Sequence, residues 1–117
     1  MSRGSTAFHN GMAAEEIAAR KYEANGGQVL ARRWKVSGGE VDLIIRLNEV
    51  IVFVEVKARP TLEAAMAAVL PKQQVRLLSS AEQYLAAHAN LGVECRFDLA
   101  AVDKTGACEI VENAFLF

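Results

Sequence analysis

The sequence has 117 residues, of which 52% are hydrophobic and 23% are charged, a composition typical of one globular domain rather than a disordered, collagen-like or disulfide-rich chain. Thirteen Lys and Arg against fourteen Asp and Glu give a formal net charge of −1, which excludes nucleic-acid binding through bulk positive charge, so any such contact must use a local patch. The apolar runs are too short to cross a bilayer and the first ten residues do not resemble a secretory signal, so we expect a cytoplasmic protein without a membrane partner.

The first predicted element is a helix over residues 12–25. It ends at Gly26-Gly27, because glycine readily adopts the left-handed conformation that commonly terminates a helix. At 100° per residue, one side of this helix is apolar and is formed by Ala14, Ile17, Ala18 and Tyr22. Glu15 lies on the flank of that apolar side, where a charged residue is unexpected.

Three strand patterns follow, over residues 28–36, 40–47 and 50–57. The third, VIVFVEVK, consists almost entirely of β-branched and aromatic residues, which is typical of a central strand that is covered on both faces. We therefore expect helices on both sides of the sheet.

The second half of the chain predicts one or two helices and two further strands. Residues 61–70 are rich in alanine, and Pro71 fits the first position of a longer helix that reaches about residue 90. Strand patterns cover residues 94–102 and 108–111. The order is αβββα(α)ββ, which indicates an α/β (α+β) sandwich with a mixed sheet flanked by helices.

The hairpin formed by the second and third strands places charged residues together. Its loop is predicted at residues 48–49, because asparagine tolerates a positive φ. Opposed residues then have numbers that sum to 97, so Asp42 lies across from Glu55, and Glu40 lies across from Lys57. Since side chains alternate along a strand, all four project from one face of the sheet.

Like charges placed directly opposite each other destabilise a sheet, so Asp42 facing Glu55 requires a physical reason. A hard divalent cation supplies one, because Mg²⁺ prefers carboxylate and water oxygens. Lys57 beside the pair could stabilise charge on a phosphate or orient a metal-bound water. The alternative is an ordinary salt-bridged surface in which Glu40 and Lys57 form a cross-strand ion pair; Glu40 is thus an accessory candidate only.

These residues resemble a known signature. GGEVDLI at residues 38–44 and VFVEVKAR at residues 52–59 are similar to the Asp…Glu-X-Lys motif of the PD-(D/E)XK nuclease superfamily. With AEEIAARKYEANGG, LARRWK and RFDLAAV, the chain more narrowly resembles the UPF0102 (YraN-like) family of small bacterial proteins, which is similar to archaeal Holliday junction resolvases.

The resemblance implies a restriction-endonuclease-like fold in which Asp42 and Glu55 are catalytic metal ligands and Lys57 is the catalytic lysine. Glu15 on the first helix resembles the acidic residue that completes such sites, which explains its position beside the apolar side. The similarity starts at about Gly11, so we expect residues 11–117 to form a single nuclease-like domain and residues 1–10 to be a flexible segment.

Basic residues near the predicted site could bind phosphate groups. Arg59 and Lys72 are closest to it in sequence, and Arg33 and Lys35 belong to the basic stretch of the first strand. Arg32 and Arg76 are further candidates. For each of them, the alternative is a solvated surface charge without a ligand.

Two hypotheses for the function follow. The first is a metal-dependent endonuclease that acts on branched or single-stranded DNA in repair or recombination, with Mg²⁺ or Mn²⁺ activating the attacking water. A junction-cutting enzyme of this kind would be a homodimer, because it must make two symmetric cuts. The second is a non-catalytic module that keeps the nuclease fold and binds nucleic acid or a protein partner. The intact set of Asp42, Glu55 and Lys57 favours the enzyme, since a binding module has little reason to keep Asp42 opposite Glu55.

Overall fold

The computed structural model describes the backbone of residues 3–88 and 93–115, and the side chains of the same residues except residues 3–12. Within this part of the chain the element order is αβββααββ, as predicted. The helices are α1 (Arg3–Ala24), α2 (Leu62–Ala67) and α3 (Pro71–Ala87). The strands are β1 (Gln28–Val36), β2 (Gly39–Leu47), β3 (Val50–Ala58), β4 (Glu94–Val102) and β5 (Cys108–Val111). The predicted fold class is confirmed.

The five strands form one mixed sheet in the order β1-β2-β3-β4-β5. All neighbouring strands are antiparallel except β3 and β4, which run parallel. A parallel pair cannot be joined by a tight turn, so α2 and α3 carry the chain from the end of β3 back to the start of β4. This crossover brings the start of α3 towards the end of the sheet at which β3 finishes.

Helix α1 begins at Arg3, earlier than the predicted start at residue 12. Residues 3–11 have no apolar periodicity, which is the signal on which the prediction depended. Residues 3–10 belong to the segment expected to be flexible, and that flexibility stays a prediction. Neither α1 nor any other helix in the described part of the chain is long and apolar enough to span a membrane.

Helices cover both faces of the sheet, as the composition of β3 predicts. On one face, α1 packs in a buried cluster formed by Ala18, Ala19, Tyr22, Leu43, Ile45, Val52, Val54 and Ala100. On the other face, α3 packs in a cluster that includes Leu77, Ala81, Tyr84, Ile44, Ile51, Phe53 and Leu99. Burying each large aliphatic or aromatic side chain stabilises the fold by about 1.5–3 kcal/mol. The two clusters therefore fix the positions of α1 and α3 relative to the central strands.

The predicted helix over residues 61–70 is shorter in the structure. It begins after Thr61, whose hydroxyl accepts a hydrogen bond from the Ala64 N–H at 3.1 Å, and it ends at Ala67. Pro71 disfavours a helical conformation in the residue before it, and Leu70 is accordingly extended, with φ −90° and ψ 153°. Helix α3 starts at Pro71 as predicted and ends at Ala87; residues 89 and 90 lie outside the described residues.

Gly39 allows α3 to approach the start of β2 closely. A Cβ atom at this position would overlap the Ser80 Oγ and lie 3.0 Å from the Arg76 carbonyl oxygen. The preceding Gly38 has φ +85° and forms the predicted turn between β1 and β2. The two glycines thus place the Arg76 turn of α3 directly beside the end of the sheet that carries the acidic residues.

Candidate active site

Asp42 and Glu55 lie on neighbouring strands, at the end of the sheet remote from the β2–β3 turn. From that turn up to Leu43 and Val54, the numbers of paired residues sum to 97, which confirms the predicted register over this span. One residue further on, the Asp42 Oδ2 accepts a hydrogen bond from the Val56 backbone N–H at 2.8 Å. Asp42 therefore also has a structural contact, because it satisfies a backbone donor of β3.

The side chains of Asp42 and Glu55 are close enough to shift each other's pKa. Burial and the neighbouring Asp42 carboxylate raise the pKa of Glu55 to about 8. Burial also raises the pKa of Asp42, against the opposing effect of the Val56 N–H. Because two adjacent carboxylates resist ionising together, the metal-free pair retains a proton at neutral pH.

Lys57 lies on the same face as Glu55, two residues further along β3. Its Nζ is 3.5 Å from the Glu55 Oε1, and the two side chains are only 12% and 15% exposed. Among the described residues, Lys57 pairs with Glu55 rather than with Glu40, the cross-strand partner that the ordinary surface interpretation requires. Glu40 is exposed and lies across from Lys35 on β1. A largely covered lysine is therefore paired with one member of the acid pair, Glu55.

Glu15 reaches the same region from α1 but is held by another partner. Its side chain is 18% exposed and lines a cleft together with Asp42, Glu55 and Lys57. The Arg33 Nε donates to both of its carboxylate oxygens, at 3.1 and 2.9 Å. In the part of the chain with described side chains, no three His, Cys, Asp or Glu residues are grouped closely enough to hold a metal ion. Asp42 and Glu55 fit a hard cation by their oxygen chemistry, with Glu15 nearby as a third carboxylate.

Arg33 has an unusual backbone conformation for a strand residue. Its φ of +48° is in the left-handed region, which costs conformational energy in a residue other than glycine. The flanking pairs Arg32↔Leu43 and Trp34↔Val41 place it across from Asp42. The predicted phosphate-binding residue is thus next to the acid pair and bound to Glu15. Arg32 instead pairs with Glu16, at 2.8 Å.

Two clefts meet at the acid pair. The first, here called the α1 cleft, has a volume of about 700 Å³, and its lining includes Glu15, Arg33, Lys57, Arg59 and Lys104. The second, here called the α3 cleft, has a volume of about 470 Å³, and its lining includes Lys35, Glu40, Gln73 and Arg76. Within the described part of the chain, the two linings share only Asp42 and Glu55. Lys72 is exposed in the first turn of α3 and lines neither cleft.

Sequence reasoning did not identify Asp98 as a residue that supports the site. Asp98 is fully buried on β4 and accepts hydrogen bonds from the Tyr22 hydroxyl at 2.7 Å and from Arg96 at 2.9 and 3.0 Å. Burial and the Asp98 charge together raise the pKa of Tyr22. Asp98 thus ties α1, which carries Glu15, to the sheet. The signal in the sequence was an Arg and an Asp on the same face of an otherwise apolar strand.

Comparison with known proteins agrees with the motifs. The family model described as "Uncharacterised protein family UPF0102" matches residues 14–102. A UPF0102 protein from Granulibacter bethesdensis is 42% identical over 97% of this chain and 72% of its own length. A UPF0102 protein from Roseobacter denitrificans is 39% identical over 95% of this chain and 87% of its own length. One from Cereibacter sphaeroides is 41% identical over 96% of this chain and 97% of its own length. The motif residues Asp42, Glu55 and Lys57 all lie within the matched region, and the chain belongs to the UPF0102 family.

Proposed function

We propose that this protein is a metal-dependent endonuclease that hydrolyses phosphodiester bonds in branched or single-stranded DNA during repair or recombination. The observation that carries the proposal is the grouping of Asp42 and Glu55, which line the same two clefts, with the Lys57 ammonium 3.5 Å from Glu55. Burying two like-charged groups in contact destabilises a fold, whereas a divalent cation would make the same arrangement favourable.

Asp42 and Glu55 are the residues that would hold Mg²⁺ or Mn²⁺, with Glu15 as a third carboxylate in the same cleft. When bound, the cation would lower the pKa of a water molecule and offset negative charge on the phosphate. Lys57 would donate a hydrogen bond to a phosphate oxygen or to the attacking water. Its low exposure keeps that donor close to Glu55, where a reacting phosphate would lie.

The basic residues of the clefts support a nucleic-acid substrate in spite of the net charge of −1. Arg59 and Lys104 line the α1 cleft, and Lys35 and Arg76 line the α3 cleft. Local positive charge of this kind binds phosphates by displacing counterions and does not require a basic protein. If four-way junctions are substrates, two copies of the chain would make the two symmetric cuts.

A cleavage assay tests the proposal. Labelled linear duplex, single-stranded, flap and four-way-junction DNA is incubated with wild type, Glu55→Gln and the control variant Glu49→Gln, in Mg²⁺, Mn²⁺ or EDTA. Glu49 is exposed in the β2–β3 turn, away from the site. We expect cleavage only with a divalent cation, equal for wild type and Glu49→Gln, and reduced by at least about 100-fold in Glu55→Gln. Equal cleavage by Glu55→Gln would contradict the assignment.

A second candidate function is a nucleic-acid-binding module without catalysis. It is favoured by the ion pair between Arg33 and Glu15, which occupies the third carboxylate. This alternative predicts that wild type binds DNA but cuts none of the substrates with any divalent cation. It also predicts that Lys57→Ala and Arg59→Ala weaken binding to the same extent, because both residues would then contact phosphates in the same way.

A further inference from the structure

Apart from Asp42 and Glu55, the residues of the α3 cleft have no role in the catalytic chemistry assigned above. Among the described residues, its lining has only these two in common with the α1 cleft. A phosphate placed at these two residues therefore has an open space on each side. A nucleic-acid strand that continues in both directions from such a phosphate would enter one cleft and leave through the other.

The α3 cleft has cationic side chains that are available to a ligand. Within the described residues, neither Lys35 nor Arg76 forms an ion pair, whereas Arg20, Arg32, Arg33, Lys57 and Arg96 all do. The backbone of Arg76 is held beside the sheet by its close approach to Gly39. Gln73 on the preceding turn of α3 lines the same cleft. Arg76 and Lys35 approach the cleft from two different elements, so a single anion between them could be bound by both.

The chemistry of the lining indicates which part of a strand would be bound. Among the residues whose side chains the structure describes, neither cleft is lined by an aromatic side chain. Proteins that hold single strands through their bases do so by stacking them on aromatic rings, whereas phosphate contacts depend on Lys and Arg. The clefts therefore favour the sugar-phosphate backbone over the bases.

We infer that the α3 cleft is a second phosphate-binding subsite, in which Arg76 and Lys35 hold the backbone of a nucleic-acid strand on one side of the acid pair while Arg59 and Lys104 hold it on the other. The inference rests on the proposed function, because it takes the phosphate at Asp42 and Glu55 as the centre of the bound strand. It adds a binding site on α3, and it makes recognition of the strand independent of base sequence.

Fluorescence anisotropy in EDTA measures this binding without cleavage. The probe is a labelled single strand of about twelve nucleotides, which lies within the range that single-strand-binding sites cover. We expect Arg76→Ala and Lys35→Ala each to weaken binding several-fold and to reduce the slope of log K against log salt by about 0.7. Arg46→Ala is the control, since Arg46 is exposed near the β2–β3 turn at the other end of β2, and it should leave both quantities unchanged.

A double variant shows whether the two clefts act as separate subsites. The fold-losses in affinity caused by Arg59→Ala and Arg76→Ala should multiply in the double variant to within about 2-fold, as expected for contacts with different phosphates. If Arg76→Ala and Lys35→Ala behave like Arg46→Ala while Arg59→Ala weakens binding, the α3 subsite is refuted and the proposed function stands. If wild type does not bind the probe at all, nucleic-acid recognition itself is refuted. Thermal melting of each variant confirms that it is folded.

Discussion

Replacing Glu55 by Gln should stabilise the metal-free protein at alkaline pH and change its stability little near pH 5. Glu55 is in buried contact with Asp42, and its pKa is raised to about 8, compared with about 4.3 for a glutamate in an unfolded chain. Between these two values the folded state binds more protons than the unfolded state, so the free energy of unfolding falls as pH rises. Gln cannot ionise, but its amide can donate to Asp42 as the protonated carboxyl does.

The size of this stability change follows from the difference between the folded and unfolded pKa values of Glu55. Each unit corresponds to about 1.4 kcal/mol, so ionising Glu55 in the folded state costs up to about 5 kcal/mol. The ion pair with Lys57 is already included in this cost, because it lowers the pKa of Glu55. A stabilisation that rises towards about 5 kcal/mol is therefore expected above the folded pKa.

Urea unfolding in EDTA, repeated at intervals from about pH 5 to about pH 9, measures this difference. Glu49→Gln is the matched control, since it removes an exposed carboxylate from the β2–β3 turn of the same hairpin. The curves of wild type and Glu49→Gln should run parallel, and the curve of Glu55→Gln should separate from them as pH rises. A constant difference between Glu55→Gln and wild type at all pH values would refute the assignment of a shared buried proton.

Three further changes test other parts of the structure. Lys57→Ala should reduce turnover by at least about 100-fold and change the affinity for a DNA strand in EDTA by less than about 3-fold, because the Lys57 contact acts mainly in the transition state. A parallel loss of turnover and affinity would contradict this role. Asp98→Ala should lower the free energy of unfolding, measured in urea, by about 3–5 kcal/mol, since Arg96 loses its buried partner. A change below about 1 kcal/mol would show that the contacts of Asp98 with Arg96 and Tyr22 do not stabilise the fold. Gly39→Ala should lower the same quantity by about 1–3 kcal/mol through overlap with Ser80, and a variant as stable as wild type would contradict the close approach of α3.

The position of the acid pair could be predicted because it depends on local rules alone. Asn48 adopts the positive φ of +57° that the predicted turn requires, and the turn then fixes the register of β2 and β3. Because side chains alternate along a strand, Glu55 and Lys57 then lie on the same face of the sheet. The additional contact from Asp42 to the Val56 N–H was not predictable, because it lies beyond the last paired residues of the two strands.

The pairing of Arg33 with Glu15 depends on a feature that the sequence does not reveal. The β1–β2 turn pairs Val36 with Gly39, and the same register continues to Ala31, which brings Arg33 across from Asp42. The left-handed backbone of Arg33, with φ +48°, has no characteristic residue pattern. Arg33 was therefore recognised as basic but not as the partner of Glu15.

The α3 cleft could not be predicted for a different reason. Arg76 and Gln73 are remote from Asp42 in sequence, and they reach it only because the crossover helix packs beside the start of β2. Periodicity predicted the helix and its first residue, Pro71, but it contains no information about which part of the sheet the helix contacts. The resemblance to the UPF0102 family, by contrast, was readable from short motifs, since GGEVDLI and VFVEVK lie on the two strands of one hairpin.

The most direct test of the acid pair as a metal site is a calorimetric titration with Mn²⁺ at pH 7, performed in two buffers that differ in ionisation enthalpy. A cation that binds to Asp42 and Glu55 must displace the proton that they share, so we predict the release of about one proton for each Mn²⁺ bound. Glu55→Gln should bind more weakly and release almost none, while Glu49→Gln should match wild type. Binding by wild type without proton release, or equal binding by Glu55→Gln, would contradict a metal site at this pair.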